Sequence, residues 1–457
     1  MENLREPQIQ QKRSRRLILF PVPLQGHINP MLQLAEILYS RGFSITIIHT
    51  HFNSPTSSNY PYFTFEPISD GLSTTQASTS DIVALLTILN VNCVTPFREC
   101  LTRLLSENQE EPIACLICDG IFHFTQAVAD SLKLPRIILR ATSVASFLAL
   151  HSFPLLLQKG YLPKQDSQLE EPVPELPPLK VKDIPVMATH DPKIMYQLVA
   201  SISKEMKASS GIIWNSFEDL EQFALTAVRQ EFPIPIFPIG PFHKYSPASS
   251  SSLLIQDPSC ISWLDKQAPR SVIYVSFGSL AAMNETEFVE TAWGLANSKR
   301  PFLWVVRPGS IYGSDWIEQL PHLFLENVSE KGHIVKWAPQ KEVLAHPAVG
   351  GFWTHNGWNS TVESICEEVP MLCRPCFADQ MVNARYVSHV WRIGMQLENG
   401  LERGEIERSI RRLMVEKDGE EMRERVIKLK EKVDLSLRKD GSSCKSLEGL
   451  VSFILSF

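Results

Sequence analysis

The chain alternates short apolar runs with helical stripes, and this alternation predicts its secondary structure. Residues 17–22 form the first apolar run, a stripe at helical spacing covers 31–38, and residues 43–49 form the next run. Apolar runs of this length are typical of buried parallel strands, so the three segments predict a βαβ unit. Asn29 and Pro30 favour the N-cap and N1 positions, which places the predicted start of the helix there.

The same alternation continues through the first half of the chain. Residues 51–80 and 163–178 lack periodicity and are rich in turn formers, so we predict loops there. Further predicted strands cover 113–118, 136–139, 212–214 and 236–237, and predicted helices cover 82–90, 93–105 and 124–132. Strands that alternate with helices in this way predict a doubly wound parallel sheet.

A serine-rich segment at 244–252, a predicted flexible linker, separates this half from a second α/β half. Asn284 and Glu287 resemble a capping box at a helix start. The sequence therefore predicts an α/β protein of two Rossmann-like β/α/β domains, 1–243 and 253–440, that face a cleft. The final helix, 441–457, is expected to pack back on the first domain. The strands predicted in the second half cover 272–277, 302–306, 333–337 and 349–354.

Composition narrows the class of function. The 457 residues carry a net charge of −6, which gives no general attraction to nucleic acid or to anionic membranes. Residues 2–16 are polar and no apolar run reaches the ~18 residues of a membrane span, so we expect no signal peptide and no integral membrane association. Nine scattered cysteines favour free thiols in a reducing compartment. We therefore expect a cytoplasmic protein, and a monomer.

Residues 337–380 contain the strongest candidate for a ligand site. An apolar run at 349–354 predicts a strand, residues 355–357 a turn, and Trp358 the start of a helix. Such an arrangement forms an anion pocket, because free N–H groups and the positive end of the helix dipole point to one spot. Many α/β proteins have the same arrangement without a ligand, so spacing alone leaves a phosphate site and an ordinary helix cap both open.

This segment resembles the 44-residue signature box of plant secondary-metabolite UDP-glycosyltransferases, family 1 enzymes of the GT-B fold. The likeness extends over essentially the full chain and is nearest to the branch that includes diterpenoid (steviol-glycoside) glucosyltransferases. It implies a GT-B fold in which the first domain binds the acceptor and the second binds the UDP-sugar. The matching positions include Trp337, Pro339, Gln340, His346, Gly351, Thr354, His355, Gly357, Trp358, Asn359, Ser360, Glu363, Pro370, Asp379 and Gln380.

The resemblance also implies how a UDP-sugar is held. Trp337 would stack on the uracil ring, with Gln340 beside the uridine and Glu363 on the ribose hydroxyls. A glutamine at the end of the box is associated in the family with glucose. The residues implied for the hexose are Trp358, Asp379 and Gln380. Ala338 belongs to the same donor set, and so does Thr142, for which an ordinary helix N-cap is the open alternative.

The leaving diphosphate carries growing negative charge, which polar donors can balance. If these donors suffice, no metal ion is needed, and the sequence shows no Asp-x-Asp pair of the kind that holds a divalent cation in other transferases. We therefore expect no metal and no cofactor, with UDP-glucose as the co-substrate. A simple capping role for His355 is an open alternative. The donor candidates are Ser279, His355, Asn359, Ser360 and the helix N-terminus near Gly357.

His27 is the candidate general base, because imidazole titrates near neutrality and can accept the proton of an acceptor hydroxyl. Asp119 ends a neighbouring predicted strand, and a carboxylate on the other ring nitrogen would fix the tautomer and stabilise the imidazolium. A lone histidine after a strand is more often structural, but residues 26–30 and 118–119 match family motifs that carry these roles. Direct attack on the anomeric carbon implies inversion, so UDP-α-glucose would give a β-glucoside.

The first domain is expected to bind a small lipophilic acceptor. An apolar pocket suits a terpenoid or its glycoside, and phenolic, flavonoid or hormone acceptors are the alternative. A non-catalytic UDP-sugar-binding relative and an NAD-linked dehydrogenase are two other open functions, the latter disfavoured by the missing Gly-x-Gly-x-x-Gly after the first strand. The candidate acceptor contacts, each of which is otherwise a core residue, are Phe122, Phe147, His151, Met195 and Leu198.

Two positions depart from the family pattern. Asn356 stands where cysteine is common and should keep the turn, whereas Glu368 stands where glycine is common. If that position needs a positive φ, glutamate costs ~1 kcal/mol. The Cys-x-x-Cys pairs at 115–118 and 373–376 invite a metal interpretation. Residues three apart on a strand point to opposite faces and neither pair has further ligands at finger spacing, so we expect no metal there.

Overall fold

Two parallel β-sheets, each covered by helices, form the framework of the protein. The computed structural model describes residues 15–107, 111–245, 252–322, 324–397 and 400–457. In strand β1 (Arg16–Phe20), Leu17 and Leu19 pack into one hydrophobic cluster, while Ile18 and Phe20 pack into another. Alternate residues of a strand point to opposite faces, so both faces of this sheet are buried.

The first sheet has seven parallel strands in the order β3-β2-β1-β4-β5-β6-β7. Its other strands are β2 (Ser44–Thr50), β3 (Thr64–Ile68), β4 (Ile113–Asp119), β5 (Arg136–Arg140), β6 (Gly211–Trp214) and β7 (Ile236–Pro238). The helices of this half are α1 (Gln25–Ser40), α2 (Thr74–Ala77), α3 (Ile82–Asn92), α4 (Val94–Glu107), α5 (Thr125–Ser131), α6 (Val144–His151), α7 (Phe153–Gln158), α8 (Pro192–Lys207) and α9 (Glu218–Glu231).

The second sheet has six parallel strands in the order β10-β9-β8-β11-β12-β13. They are β8 (Val272–Ser276), β9 (Phe302–Val305), β10 (Gly332–Val335), β11 (Val349–Thr354), β12 (Met371–Cys373) and β13 (Gly394–Gln396). The helices of this half are α10 (Ser259–Leu264), α11 (Glu285–Asn297), α12 (Phe324–Val328), α13 (Gln340–Ala345), α14 (Trp358–Cys366), α15 (Asp379–Arg385), α16 (Arg403–Met414) and α17 (Lys417–Leu437). The predicted fold class, two parallel-sheet α/β domains, is confirmed.

The last helix, α18 (Ser442–Leu455), returns to the first sheet. Leu447, Leu450 and Ile454 belong to the same cluster as Leu17 of β1, and Ser443 Oγ donates to a backbone carbonyl after β7 at 2.6 Å. Helix α18 therefore packs against one face of the first sheet. Of the predicted linker 244–252, residues 246–251 lie outside the described residues.

Two local predictions are wrong. Helix α1 begins at Gln25, so Asn29 and Pro30 are not its cap; Leu24 occupies the N-cap without a side-chain hydrogen bond, and Pro30 lies inside the helix. The stretch 51–80 is not all loop, because β3 and α2 lie within it. Strand β3 is an edge strand that contains Pro67 and is only partly buried, so its apolar pattern is weak. The capping box of Asn284 and Glu287 is confirmed.

Within the described parts of the chain, no single helix combines the length and apolar composition that crossing a bilayer needs. The bent pair α3 and α4, which meet at 46°, satisfies those two criteria only when taken together.

Candidate active site

The carboxyl ends of strands from both sheets meet at one cavity of about 400 Å³. The first sheet contributes the segments after β1, β4 and β5, and the second contributes those after β8, β10, β11 and β12. Crevices at the carboxyl ends of strands are where open α/β sheets bind ligands. The described wall is mostly apolar on the side of the first domain. On the side of the second it is rich in amides, hydroxyls and carboxyls.

His27 reaches the cavity from the first turn of α1, with Asp119 directly behind it. His27 Nδ1 and Asp119 Oδ2 are 2.7 Å apart, and Asp119 Oδ1 accepts the N–H of Ile121 at 3.0 Å. Burial alone would raise the pKa of Asp119, but the charge of His27 and the two hydrogen bonds hold it below its usual value. An ionised Asp119 places the ring proton on Nδ1, which leaves the lone pair of Nε2 for the cavity.

The position of His27 depends on an irregularity in α1. Pro30 has no N–H, so the carbonyl of Gly26 loses its partner within the helix. Asn359 Nδ2 of the facing domain donates to that carbonyl instead, at 2.9 Å. The proline therefore leaves the Gly26 carbonyl free to bond Asn359, and this bond connects the first turn of α1, which carries His27, to α14.

Asn215, which follows β6, makes a second junction between the domains. Its carbonyl accepts from Trp358 Nε1 at 2.8 Å, and its Nδ2 donates to Asn359 Oδ1 at 3.3 Å. Its own Oδ1 accepts the N–H of Phe242 at 2.9 Å, which fixes the amide orientation. These bonds hold the first two residues of α14 against the first domain.

His355 packs between two glycine-containing turns beside the start of α14. A Cβ at Gly278 would lie 2.5 Å from His355 Nε2, and a Cβ at Gly357 would lie 2.6 Å from the same atom. Burial lowers the pKa of His355 to about 4, so the ring is neutral at pH 7 and has one N–H to donate. Gly357 is the N-cap of α14 and offers no side chain for capping, so the first-turn N–H groups remain available to an anion.

A polar chain of side chains lies on the wall below Trp337. Gln340 Nε2 donates to Ser360 Oγ at 2.9 Å and to Glu363 Oε2 at 2.7 Å. Burial raises the pKa of Glu363, partly offset by the bond from Gln340. Trp337 Nε1 donates to Ser252 Oγ at 2.9 Å, and both residues lie in the cavity wall. A flat ring, an amide and a carboxyl in one wall match the chemistry of a base joined to a ribose.

Asp379 lies at the start of α15, where its carboxyl group faces the cavity. Desolvation raises its pKa to about 6, although the hydrogen bond from Asn383 and the charge of His27 act in the opposite direction. Asn383 Nδ2 donates to Asp379 Oδ2 at 3.0 Å, and its Oδ1 accepts from Ser143 Oγ of the first domain at 2.7 Å. The amide that positions the carboxyl group is therefore itself held by a hydrogen bond from the other domain.

The turn before α15 is strained and well bonded. Ala378 has a φ of +53°, a backbone conformation that costs an L-residue about 1 kcal/mol or more. Its N–H donates to the carbonyl of Val186 across the cleft at 3.1 Å. Gln380 Oε1 accepts the N–H groups of Cys376 at 2.8 Å and Phe377 at 3.2 Å, which turns the NH₂ end of the amide away from the turn.

Comparisons with known proteins match nearly the full chain. The sequence model described as "UDP-glucoronosyl and UDP-glucosyl transferase" matches residues 42–431. UDP-glycosyltransferase 76B1 of Arabidopsis thaliana is 54% identical over 441 residues, which cover 96% of this chain and 98% of the relative. The chain belongs to the plant family 1 UDP-glycosyltransferases. UDP-glycosyltransferase 76G1 of Stevia rebaudiana is also similar, at 50% identity with both chains fully covered.

Solved structures of other glycosyltransferases share the fold. A complex of a UDP-glucosyltransferase from Polygonum tinctorium, capable of glucosylating indoxyl, with 3,4-dichloroaniline has a TM-score of 0.84 and 28% identity. The match covers 98% of this chain and 100% of that chain. The family and the GT-B fold expected from the signature box are thus confirmed.

The cavity of this glycosyltransferase gathers every residue that the resemblance assigned to the donor. Their individual roles stay predictions. Thr142 is not a helix N-cap: Ser143 occupies that position in α6 and accepts the N–H of Ser146 at 3.1 Å. The donor residues in the wall are Ser279, Trp337, Ala338, Gln340, His355, Gly357, Trp358, Asn359, Ser360, Glu363, Asp379, Gln380 and Thr142.

The candidate acceptor residues divide into two groups. Phe147, Met195 and Leu198 line the cavity. Phe122 and His151 do not belong to the described wall, contrary to expectation. Phe122 stacks on Phe20 at 4.6 Å in the core beneath the sheet, and His151 Nε2 lies 3.2 Å from a surface carboxylate. Proximity in sequence to a wall segment did not indicate which face of the backbone each side chain occupies.

The two departures from the family pattern have different structural consequences. Asn356 has a φ of +62°, its Nδ2 donates to Cys373 Sγ at 3.2 Å, and its carbonyl accepts from Asn383 at 2.9 Å. Glu368 has a φ of +60°, so the condition under which glutamate costs stability there is met. Asparagine adopts this conformation more readily than glutamate does.

Sequence reasoning missed three polar residues of the site. Asn215 and Asn383 bind across the cleft, and Arg140 lies in the wall itself. Arg140 ends a buried strand, Asn215 follows one, and Asn383 lies on a buried face of α15. The only sign of a site in the sequence was a polar residue at each of these positions. Two of them make contacts more than 100 residues away in sequence, which no local pattern can indicate.

Proposed function

We propose that the protein transfers glucose from UDP-glucose to a hydroxyl of a small lipophilic acceptor, a terpenoid or its glycoside, with inversion and without a metal ion. The product is a β-glucoside. The observation that carries this proposal is the His27–Asp119 pair on one wall of the cavity, opposite the N-terminus of α14 on the other.

In the proposed reaction, His27 Nε2 takes the proton of the acceptor hydroxyl as its oxygen attacks the anomeric carbon. Asp119, held ionised and bonded to Nδ1, stabilises the imidazolium that forms. The bond between the anomeric carbon and the diphosphate oxygen breaks, and UDP leaves. One displacement at that carbon inverts its configuration.

The departing diphosphate is balanced by neutral donors and a helix N-terminus. The first-turn N–H groups of α14 face the cavity, and the neutral imidazole of His355 lies beside them. Ser279, Asn359 and Ser360 add side-chain donors in the same wall. On this basis the proposed reaction needs neither a metal nor a cofactor.

The acceptor is proposed to occupy the apolar side of the cavity, formed by α3, α6 and α8 of the first domain. The Polygonum enzyme, whose structure is similar, is described as glucosylating indoxyl and was solved with 3,4-dichloroaniline, both small and largely apolar. A phenolic, flavonoid or hormone acceptor fits the same kind of wall and is the alternative within this function. We further propose a cytoplasmic location, since all nine cysteines are free thiols. A monomer is proposed as well.

The test is transfer itself. The enzyme is incubated with UDP-glucose and a panel of terpenoid, phenolic, hormone and glycosylated acceptors, with and without excess EDTA, and the products are followed by mass spectrometry. We expect a mono-glucoside, a large axial–axial anomeric coupling in its proton NMR spectrum, and the same rate in EDTA. UDP binding without transfer to any acceptor would favour a non-catalytic relative, and an α-glucoside or a rate abolished by EDTA would contradict the mechanism.

A further inference from the structure

The apolar side of the cavity contains one permanently charged side chain. Among the described wall residues of the first domain, Arg140 is the one arginine or lysine. It follows Leu139 at the carboxyl end of β5 and lies near Ile121 and Phe147. Its exposed fraction is 4%, so the charge is almost completely removed from bulk water.

Packing holds this guanidinium beside the His27–Asp119 pair. Its carbon Cζ lies 5.1 Å from the centre of the Phe147 ring. A Cβ on Gly120, the residue after Asp119, would lie 2.8 Å from the Arg140 Cδ, so the arginine stem occupies the space that this glycine leaves. The aliphatic part of Arg140 is therefore fixed between β4 and α6, with its head at the cavity.

The guanidinium lacks the partners that a buried cation needs. Nη2 donates to Thr142 Oγ1 at 3.3 Å, and the buried Nε has no hydrogen-bond partner among the described residues. No described carboxylate forms an ion pair with it, since Asp119 is engaged by His27 and Asp379 by Asn383. Desolvation lowers the pKa of Arg140, although the charges of those two aspartates act in the opposite direction. A buried cation without a bonded anion is costly unless a ligand supplies one.

We propose that Arg140 binds a carboxylate of the acceptor, so that the preferred acceptors are lipophilic hydroxy-acids. This inference rests on the proposed glucosyl transfer. The acceptor carboxylate bonds to the Nη end of the guanidinium that lines the cavity, the apolar body lies on the wall formed by α3 and α8, and the hydroxyl reaches His27 Nε2. The hydroxyl oxygen forms the bond to the anomeric carbon, its proton passes to His27, UDP leaves, and the carboxylate is unchanged.

Two other roles for Arg140 give different results. A contact with the diphosphate would place the cation with the donors of α14, but Arg140 comes from the first domain, at the end of β5. A purely positioning role, in which its charge supports Asp119, would affect every acceptor equally, because the base is shared. Only a direct bond to the acceptor discriminates between an acid and its neutral ester.

The experiment compares matched acceptor pairs: monohydroxylated benzoic and cyclohexanecarboxylic acids, each with its methyl ester, with UDP-glucose as donor. For the wild-type enzyme we expect kcat/KM to favour the acid of at least one pair by about 10-fold or more, since charge-assisted hydrogen bonds are the strong ones. In Arg140→Met, which keeps the stem but removes the charge, the acid-to-ester ratio should fall to about 1 or below. Arg140→Lys should retain part of the preference.

Several results would overturn the inference. Wild-type preference for the ester in every pair would do so without any variant, and so would an Arg140→Met enzyme that loses acid and ester turnover in equal proportion. Transfer to esters with no preference for acids refutes the role of Arg140 while leaving the glucosyl transfer intact. Transfer to acceptors of the broader panel but to none of these acids also refutes the role of Arg140, whereas wild-type enzyme that binds UDP and transfers glucose to no acceptor of either panel contradicts the proposed function itself. Thermal melting and UDP titration of each variant show that it is folded.

Discussion

Asp119 and Asp379 are buried carboxyl groups of the same cavity whose pKa values shift in opposite directions. Asp119 is bonded to His27 and to a backbone N–H, and these outweigh the effect of burial. Asp379 has one side-chain donor, Asn383, and burial dominates. Asp119 therefore stays ionised as the partner of the proposed base, whereas Asp379 changes charge near pH 6.

The pH dependence of donor binding follows from Asp379. In its proposed role, Asp379 is a carboxylate above pH 6 and accepts hydrogen bonds from the sugar hydroxyls, whereas below pH 6 it is protonated and a weaker acceptor. We expect the Kd for UDP-glucose, measured by calorimetry, to rise roughly 3- to 10-fold between pH 7.5 and 5. Asp379→Asn should bind more weakly and lose this pH step. A variant that keeps the full step would assign the titration to another group.

Glu368 provides a stability prediction at a single backbone position. Its φ of +60° strains any residue with a Cβ, so Glu368→Gly should raise the melting temperature by roughly 1–3 °C, for a gain of up to about 1 kcal/mol. Glu368→Ala is the matched control, because it removes the distant Lys430 contact of 3.8 Å but keeps the strain. Equal melting temperatures for the two variants would show that the positive φ of residue 368 does not lower the stability of the protein.

At the scale of elements, the turn after β8 determines the space in which the His355 ring packs beside the start of α14. Gly278 has a φ of +75°, and a Cβ there would lie 2.5 Å from His355 Nε2. Gly278→Ala should therefore destabilise the protein by about 2 kcal/mol or more and weaken UDP binding. Gly26→Ala is the control from the facing wall, because no atom lies within 4 Å of its added Cβ and alanine favours a helix. Denaturant midpoints that fall equally in both variants would contradict this.

The start of α1 shows where element-level prediction failed. Capping preferences placed the start at Asn29, but the helix begins at Gln25 because the missing N–H of Pro30 is compensated by Asn359 from the other domain. Ten of the thirteen strands in the two sheets were predicted closely, since buried parallel strands give continuous apolar runs; β3 was assigned to a loop, and the three-residue strands β12 and β13 were not predicted. Arg140 was missed because it ends such a run. Phe122 was wrongly expected in the cavity wall because an apolar residue carries no sign of whether it faces a ligand or the core.

At the scale of the whole molecule, a buried ion pair joins the two domains behind the cavity. Arg385 Nε donates to Asp183 Oδ2 at 2.7 Å, and the side chains are only 3% and 5% exposed. Asp183→Ala leaves the arginine without its anion, so we expect a loss of about 3–5 kcal/mol and a higher KM for UDP-glucose. The exposed pair of Arg229 and Glu218 is the control: Glu218→Ala should cost about 0–1 kcal/mol. Similar losses in both variants would argue against a dependence on the buried pair.

The proton transfer from acceptor to His27 is the step on which the proposed chemistry depends, and His27→Ala isolates it. Turnover of a productive acceptor is measured alongside calorimetric titration with UDP. We predict that kcat falls by at least ~100-fold while UDP affinity is retained, because the imidazole acts on the acceptor and the diphosphate is held by the opposite wall. A His27→Ala enzyme with near wild-type turnover would contradict this assignment of the base.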